Sequence, residues 1–254
     1  MKKSVLSTFI VATVLAPAVV LAQAAKAEPE YTFSGNAGLV SDYRFRGFTQ
    51  TDYDPAFQGG FDFAHKSGFY LGNWNSNVEQ SLYTGASLEM DFYGGYKGSV
   101  GDFGYDIGYI YYAYPNSGSG DSTKVKNGEI YVGASYRGLV SLKYYHSTTR
   151  FFSIGKGTGV DTKNSQYLDL GATYDLGGGF GINGHVGWQK VKNLKDLGAE
   201  DDTYADYKAG VTYDLSGWLL GASVIATSKK EFFTTGEGED GGKTRLVVSV
   251  SKTF

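Results

Sequence analysis

Several groups of residues in this sequence have types and spacings that could do chemistry. His146 and Ser147 are adjacent, and a histidine beside a serine is the raw material of a nucleophile–base pair. No third group that would orient the base is identifiable and no hydrolase motif surrounds the pair, so it does not define a catalytic site. His65, His146 and His185 stand at no metal-type spacing, and the chain has no cysteine to complete a ligand set. Gly155-Lys156-Gly157-Thr158-Gly159 superficially resembles a phosphate-cradling loop. Such a loop works by opening a helix whose N–H groups meet the anion, and this one lies between strands. Glu237-Gly238-Glu239-Asp240 offers oxygen ligands suited to a divalent cation, but it reads better as a solvated loop tip. No catalytic residue, cofactor or metal centre is therefore expected, and the chain is not read as an enzyme.

The remaining candidates are charged residues that alternate with apolar ones. They are Asp42, Arg44, Arg46, Asp62, Glu89, Asp91, Asp106, Glu129, Arg137, Lys143, Asp169, Asp175, Asp206, Lys208, Asp214 and Arg245. Period-2 alternation recurs from Tyr31 onward and almost nothing repeats at 3.6, so these side chains fall on the polar faces of β-strands. Residues 167–176 show it best. Leu168, Leu170, Ala172, Tyr174 and Leu176 share one face, and Tyr167, Asp169, Gly171, Thr173 and Asp175 share the other.

Twelve such runs are legible, at about 31–46, 56–65, 68–76, 85–97, 102–114, 128–137, 139–150, 165–176, 179–190, 204–215, 217–228 and 243–254. Short connections alternate strictly with longer polar loops at 47–55, 77–84, 115–127, 151–164, 191–203 and 229–242. An up-and-down barrel with both termini on one side of a membrane sorts its connections in this way. In hydrocarbon every backbone N–H and C=O must be paired, so the sheet must close on itself. The expected fold is all-β: a closed antiparallel transmembrane barrel with short periplasmic turns and longer extracellular loops.

Composition agrees with this reading. Glycine (37) and tyrosine (21) are abundant, proline (4) is scarce, and the mean hydropathy is −0.26. A barrel alternates lipid-facing apolar residues with polar ones facing a lumen, so it lacks the long aliphatic runs of a soluble core. The first 27 residues read as a secretory leader: Lys2 and Lys3, an apolar stretch from Val5 to Leu15, then Ala22-Gln23-Ala24 and Ala25-Lys26-Ala27. Cleavage is expected after Ala27, with Ala24 as the alternative. The leader holds three lysines and no acid, so residues 28–254 carry 23 − 3 = 20 bases against 26 acids, net −6. That balance argues against nucleic acid as a partner.

On a barrel wall the sixteen charged residues belong in the lumen, because a basic residue on the lipid face costs about 2–4 kcal/mol at the midplane. Ten are acids and six are bases. Two readings follow: a water-filled channel with a weak cation preference, or a closed lumen filled by a satisfied polar network. Arg44 and Arg46 either mark a constriction or pair with Glu89 and Asp91, and pairing is preferred. Trp74, Trp188 and Trp218 fall near strand ends, where interface aromatics sit. Phe254, with Val250, Val248 and Leu246 on its face, resembles the C-terminal signature read by the outer-membrane assembly machinery. Lys252 departs from that pattern. The expected partners are outer-membrane lipid, that machinery, and small polar solutes or ions.

Gly35-Asn36-Ala37-Gly38-Leu39-Val40-Ser41-Asp42-Tyr43-Arg44-Phe45-Arg46-Gly47-Phe48-Thr49-Gln50 resembles the opening of the TorF family of candidate porins. Pro55 to Gly60, Ser67 to Trp74, Asp91 to Tyr96 and Tyr111 to Pro115 extend the likeness over most of the chain beyond the leader. The resemblance implies a bacterial outer-membrane location and a channel role, and it brings no catalytic residues. A closed structural barrel without transport, or a lipid-acting outer-membrane enzyme, is the alternative.

Overall fold

The computed structural model describes residues 29–118 and 124–254. The expected leader lies outside the described residues. Twelve strands form one closed antiparallel barrel: β1 (Tyr31–Val40), β4 (Ala56–His65), β5 (Phe69–Asn77), β6 (Leu88–Val100), β7 (Phe103–Ala113), β8 (Lys126–Tyr136), β9 (Val140–Ser147), β10 (Gln166–Gly177), β11 (Phe180–Lys190), β12 (Thr203–Leu215), β13 (Trp218–Thr227) and β14 (Arg245–Thr253). Each pairs with its neighbours in sequence, and β1 closes the ring by pairing with both β4 and β14. The seam runs on to the last residue, where the N–H of Phe254 donates to Gly35 O at 2.8 Å. Two further short strands, β2 (Arg44–Phe45) and β3 (Phe48–Thr49), form a separate hairpin.

Alternation decides which way each strand faces. On β8, Asn127, Glu129 and Tyr131 are buried while Ile130 and Val132 are half exposed. On β6, Glu89, Asp91 and Tyr93 are buried and Phe92 is exposed. The exterior is thus a continuous belt of Phe, Leu, Ile, Val and Tyr, which is stable against hydrocarbon and unfavourable in water. The interior carries the polar residues, with tyrosines filling space between them.

The tight turns follow from residue type. Arg137 and Gly138 have φ of 53° and 68°, and Ser216 and Gly217 have 54° and 85°. Two consecutive left-handed residues make the two-residue hairpin turn whose twist matches that of the strands it joins. At the opposite end the connections are long. Two of them carry short 3-10 turns, Phe151–Ser153 and Leu194–Leu197, whose apolar residues pack together over the barrel mouth.

The first strand departs from expectation. The alternation through Arg46 predicts a wall strand of sixteen residues, but β1 stops at Val40 and the next residues turn into the barrel. Alternation continues because Arg44–Phe45 and Phe48–Thr49 are themselves extended. Arg46 (φ 47°) and Gly47 (φ 86°) then reverse the chain between the paired Phe45 and Phe48, so the pattern belongs to a hairpin rather than to the wall.

Candidate functional site

The β2–β3 hairpin occupies the lumen in the long-loop half of the barrel. Residues 42–44 and 46–51 are all buried, polar ones included. At its root Tyr43 packs edge-on against Trp74 of β5, with ring centroids 5.4 Å apart. At its tip the hairpin presses on the far wall. A Cβ on Gly47 would lie 2.5 Å from Thr227 Cγ2 and 2.7 Å from Asp206 Cβ. Only glycine fits there, both for space and for φ.

Both arginines of the hairpin are paired. Arg44 Nε donates to Asp42 at 2.6 Å, and its Nη1 donates to Gly47 O at 2.9 Å. Thr49 donates to the other Asp42 oxygen at 2.8 Å. Burial raises the Asp42 carboxyl above its ordinary value, and Arg44 and Thr49 hold that rise back. Arg46 reaches across the lumen: Nη2 donates to Glu129 of β8 at 2.6 Å and Nη1 to Gln189 of β11 at 2.7 Å. Its guanidinium also lies over the rings of Tyr167 (4.2 Å) and Tyr145 (5.3 Å). Pairing is therefore the outcome for both arginines, but the partners are Asp42 and Glu129 rather than Glu89 and Asp91. A hairpin that turns at Gly47 points Arg46 towards β8 and β11, away from β6.

The wall places the other charged residues as follows. Glu89, Asp91, Asp106, Glu129 and Asp206 are buried on the inner face. Lys143 donates to Asp106 at 2.7 Å, and Tyr70 donates to the same carboxylate. Tyr93 donates to Asp62 at 2.6 Å. His185 stands between two carboxylates, Nδ1 3.0 Å from Asp169 and Nε2 3.2 Å from Asp206. Asp206 also accepts from Tyr167, beneath Arg46. Lys208 is half buried on the same strand as Asp206. Asp175 and Asp214 sit at the tight-turn rim, where each accepts from a turn backbone N–H. Arg245 is at the opposite rim, its guanidinium 4.7 Å from the Tyr53 ring centre. Arg137 is not on the wall. It lies in the β8–β9 turn, exposed, and pairs with Asp102 at 2.9 Å.

Other candidates separate in space. His146 and Ser147 are consecutive on one strand and so face opposite ways. Ser147 is buried and donates to Glu129 at 3.2 Å, while His146 Nε2 is 3.1 Å from Asn164. They cannot act as a pair. At the acidic tip, Glu239 binds Lys243 at 2.5 Å and Asp240 binds Lys230 at 3.1 Å. Trp188 and Trp218 are 46% and 47% exposed on the exterior, but Trp74 is 6% exposed and faces inward. Its place near a strand end did not fix its face. Parity with the inward Tyr70 and Ser76 does so, and that signal was available in the sequence. The inward hairpin had a signal too, the Arg46-Gly47 dipeptide between two aromatic residues.

A closed antiparallel barrel, apolar outside and polar within, defines a transmembrane β-barrel protein. Residues 24–254 match the family described as "Bacterial protein of unknown function (Gcw_chp)", and the chain belongs to that family. The narrower TorF kinship is not confirmed by that match. No curated protein sequence matches the chain. Among solved structures it is similar to the KdgM porin, with a TM-score of 0.55 and 11% identity over 87% of this chain and 99% of that one. The KdgM porin in complex with disordered oligogalacturonate and the NanC porin each give 0.55 and 10% identity over 88% of this chain and 99% of theirs. At this identity the likeness is one of fold.

Proposed function

We propose that the chain is an outer-membrane channel for passive diffusion of small polar solutes or ions, exported by removal of residues 1–27. The β2–β3 hairpin sets its resting state. The observation that carries this reading is the wall itself. Apolar side chains cover the outside, and a ring of ionisable and hydroxyl side chains lines the inside, the lining that a path for polar solutes requires. The family likeness to TorF and the shared fold with the KdgM and NanC porins support the same reading. Oligogalacturonate, the ligand named with KdgM, is a polyanion. The acidic excess on this inner face favours a different preference, weakly for cations.

The buried hairpin supports a second reading, a barrel closed permanently and serving structure alone. Reconstitution in planar bilayers separates the two. Discrete conductance steps from the wild type, more frequent when the hairpin is unseated, support the channel. Silence from both the wild type and a hairpin-deleted chain that still folds overturns it.

A further inference from the structure

Glu89 and Asp91 lie two apart on β6 and so point the same way into the barrel. They are 1% and 4% exposed. Both carboxylate oxygens of Glu89, and Oδ1 of Asp91, have no hydrogen-bond partner among the described residues. No lysine or arginine among the described residues makes an ion pair with either one. Arg46, the hairpin cation that crosses the lumen, is engaged by Glu129 and Gln189. The polar neighbours of Glu89 are the phenols of Tyr114 and Tyr43 and the Asp91 carboxyl itself. Nearby phenol protons are directed elsewhere, Tyr83 to Gln50 and Tyr112 to Glu129.

Two buried carboxylates side by side without a counter-charge are strongly unfavourable, so something must meet them. A shared proton joins one oxygen of each and leaves the second Glu89 oxygen to the Tyr43 and Tyr114 phenols, with one negative charge still uncompensated. A cation touches all three oxygens at once. The surrounding donors are all oxygens, a set that suits a hard cation and offers nothing to a soft one. We propose that Glu89 and Asp91 bind a divalent cation of the calcium class at the root of the hairpin, with phenol oxygens and water completing its shell. The ion then fastens Tyr43, and with it the hairpin, to the β5–β6 wall. This goes beyond the channel reading, since a permanently closed barrel would hold the ion equally well.

The test uses the chain refolded into detergent free of lipopolysaccharide, in calcium or in EDTA. Terbium, which takes calcium's oxygen ligands, is the probe, because Trp74 and Tyr43 beside the site can sensitise its emission. The expected result is saturable emission competed by calcium, at least tenfold weaker in the Glu89→Gln/Asp91→Asn variant. Calcium should raise the Tm of the wild type and leave that variant unmoved. Glu239→Gln, on the outer loop, should bind as the wild type does. If the double variant does not fold, the calcium content of dialysed wild type decides, with one ion per chain expected. No bound ion, emission unchanged by the double variant, or a wild type stabilised by acid and indifferent to calcium would overturn the proposal. The last of these would assign a shared proton instead.

Discussion

Arg46 is the residue on which the inner structure turns. Its guanidinium is a planar fork, and it uses two of its nitrogens on two different strands while its face lies against Tyr167. Lysine has neither the fork nor the flat face, so Arg46→Lys should lose the contact to Gln189. Arg46→Ala removes one partner of a buried pair and leaves Glu129 charged and unmet, a change that costs about 3–5 kcal/mol. Arg46→Ala with Glu129→Gln should recover most of that loss, because the bare charge is gone. Urea unfolding in lipid vesicles, followed by tryptophan fluorescence, would show it, and equal loss in the single and double variants would refute the pairing. The charge of Arg46 and its place beside Tyr43 and Phe45 were legible in the sequence. Its partners were not, because they come from strands far along the chain that only barrel closure brings near.

At the scale of elements, the wall was readable and the hairpin only in part. Strand boundaries follow from alternation and from glycine-bearing turns, which are local signals. A lipid-facing charge must therefore be costly where alternation places it. Leu170→Arg on β10 is expected to destabilise by about 2–4 kcal/mol if it lies near the midplane, whereas Asp169→Asn on the inner face should fold normally. Equal losses would mean that the facing has slipped by one residue. Residues 41–55 gave a mixed signal, since alternation, buried charge and a turn dipeptide occur together there. Tertiary packing resolves it, as the tip of the hairpin has room for no side chain beyond glycine. Gly47→Ala puts a methyl group against Thr227 and Asp206 in a left-handed conformation that alanine adopts poorly. The expected outcome is an unchanged β-sheet circular dichroism spectrum with a more frequently open channel. Loss of the sheet signal would instead show that the hairpin is needed for the barrel to form.

The whole molecule is a ring closed by β1 on β14, and its electrostatics are those of the enclosed wall rather than of any one site. Of the sixteen charged residues expected in the lumen, Asp42 with Arg44, Glu129 with Arg46, and Asp106 with Lys143 cancel as pairs. Arg137 leaves for a turn, Arg245 stands at one rim, and Asp175 and Asp214 stand at the other. Acids remain in excess on the inner face even with Glu89 and Asp91 neutralised by a bound cation: Asp62, Asp169 and Asp206, with Lys208 opposing them. A confined wall of one sign enriches counter-ions, which biases conduction without excluding the other ion. The open channel should therefore prefer cations weakly. The preference should shrink as salt rises, because the screening length falls from about 10 Å at 0.1 M to about 3 Å at 1 M. Asp62→Asn with Asp169→Asn removes two part-exposed wall charges and leaves the hairpin's ion pairs intact. In a salt gradient across a planar bilayer its reversal potential should move towards the anion side relative to wild type. A wild-type channel that already prefers anions would reverse this account. It would place control of the current with Lys208 and the two arginines of the hairpin, whose pairing would then have to break when the channel opens.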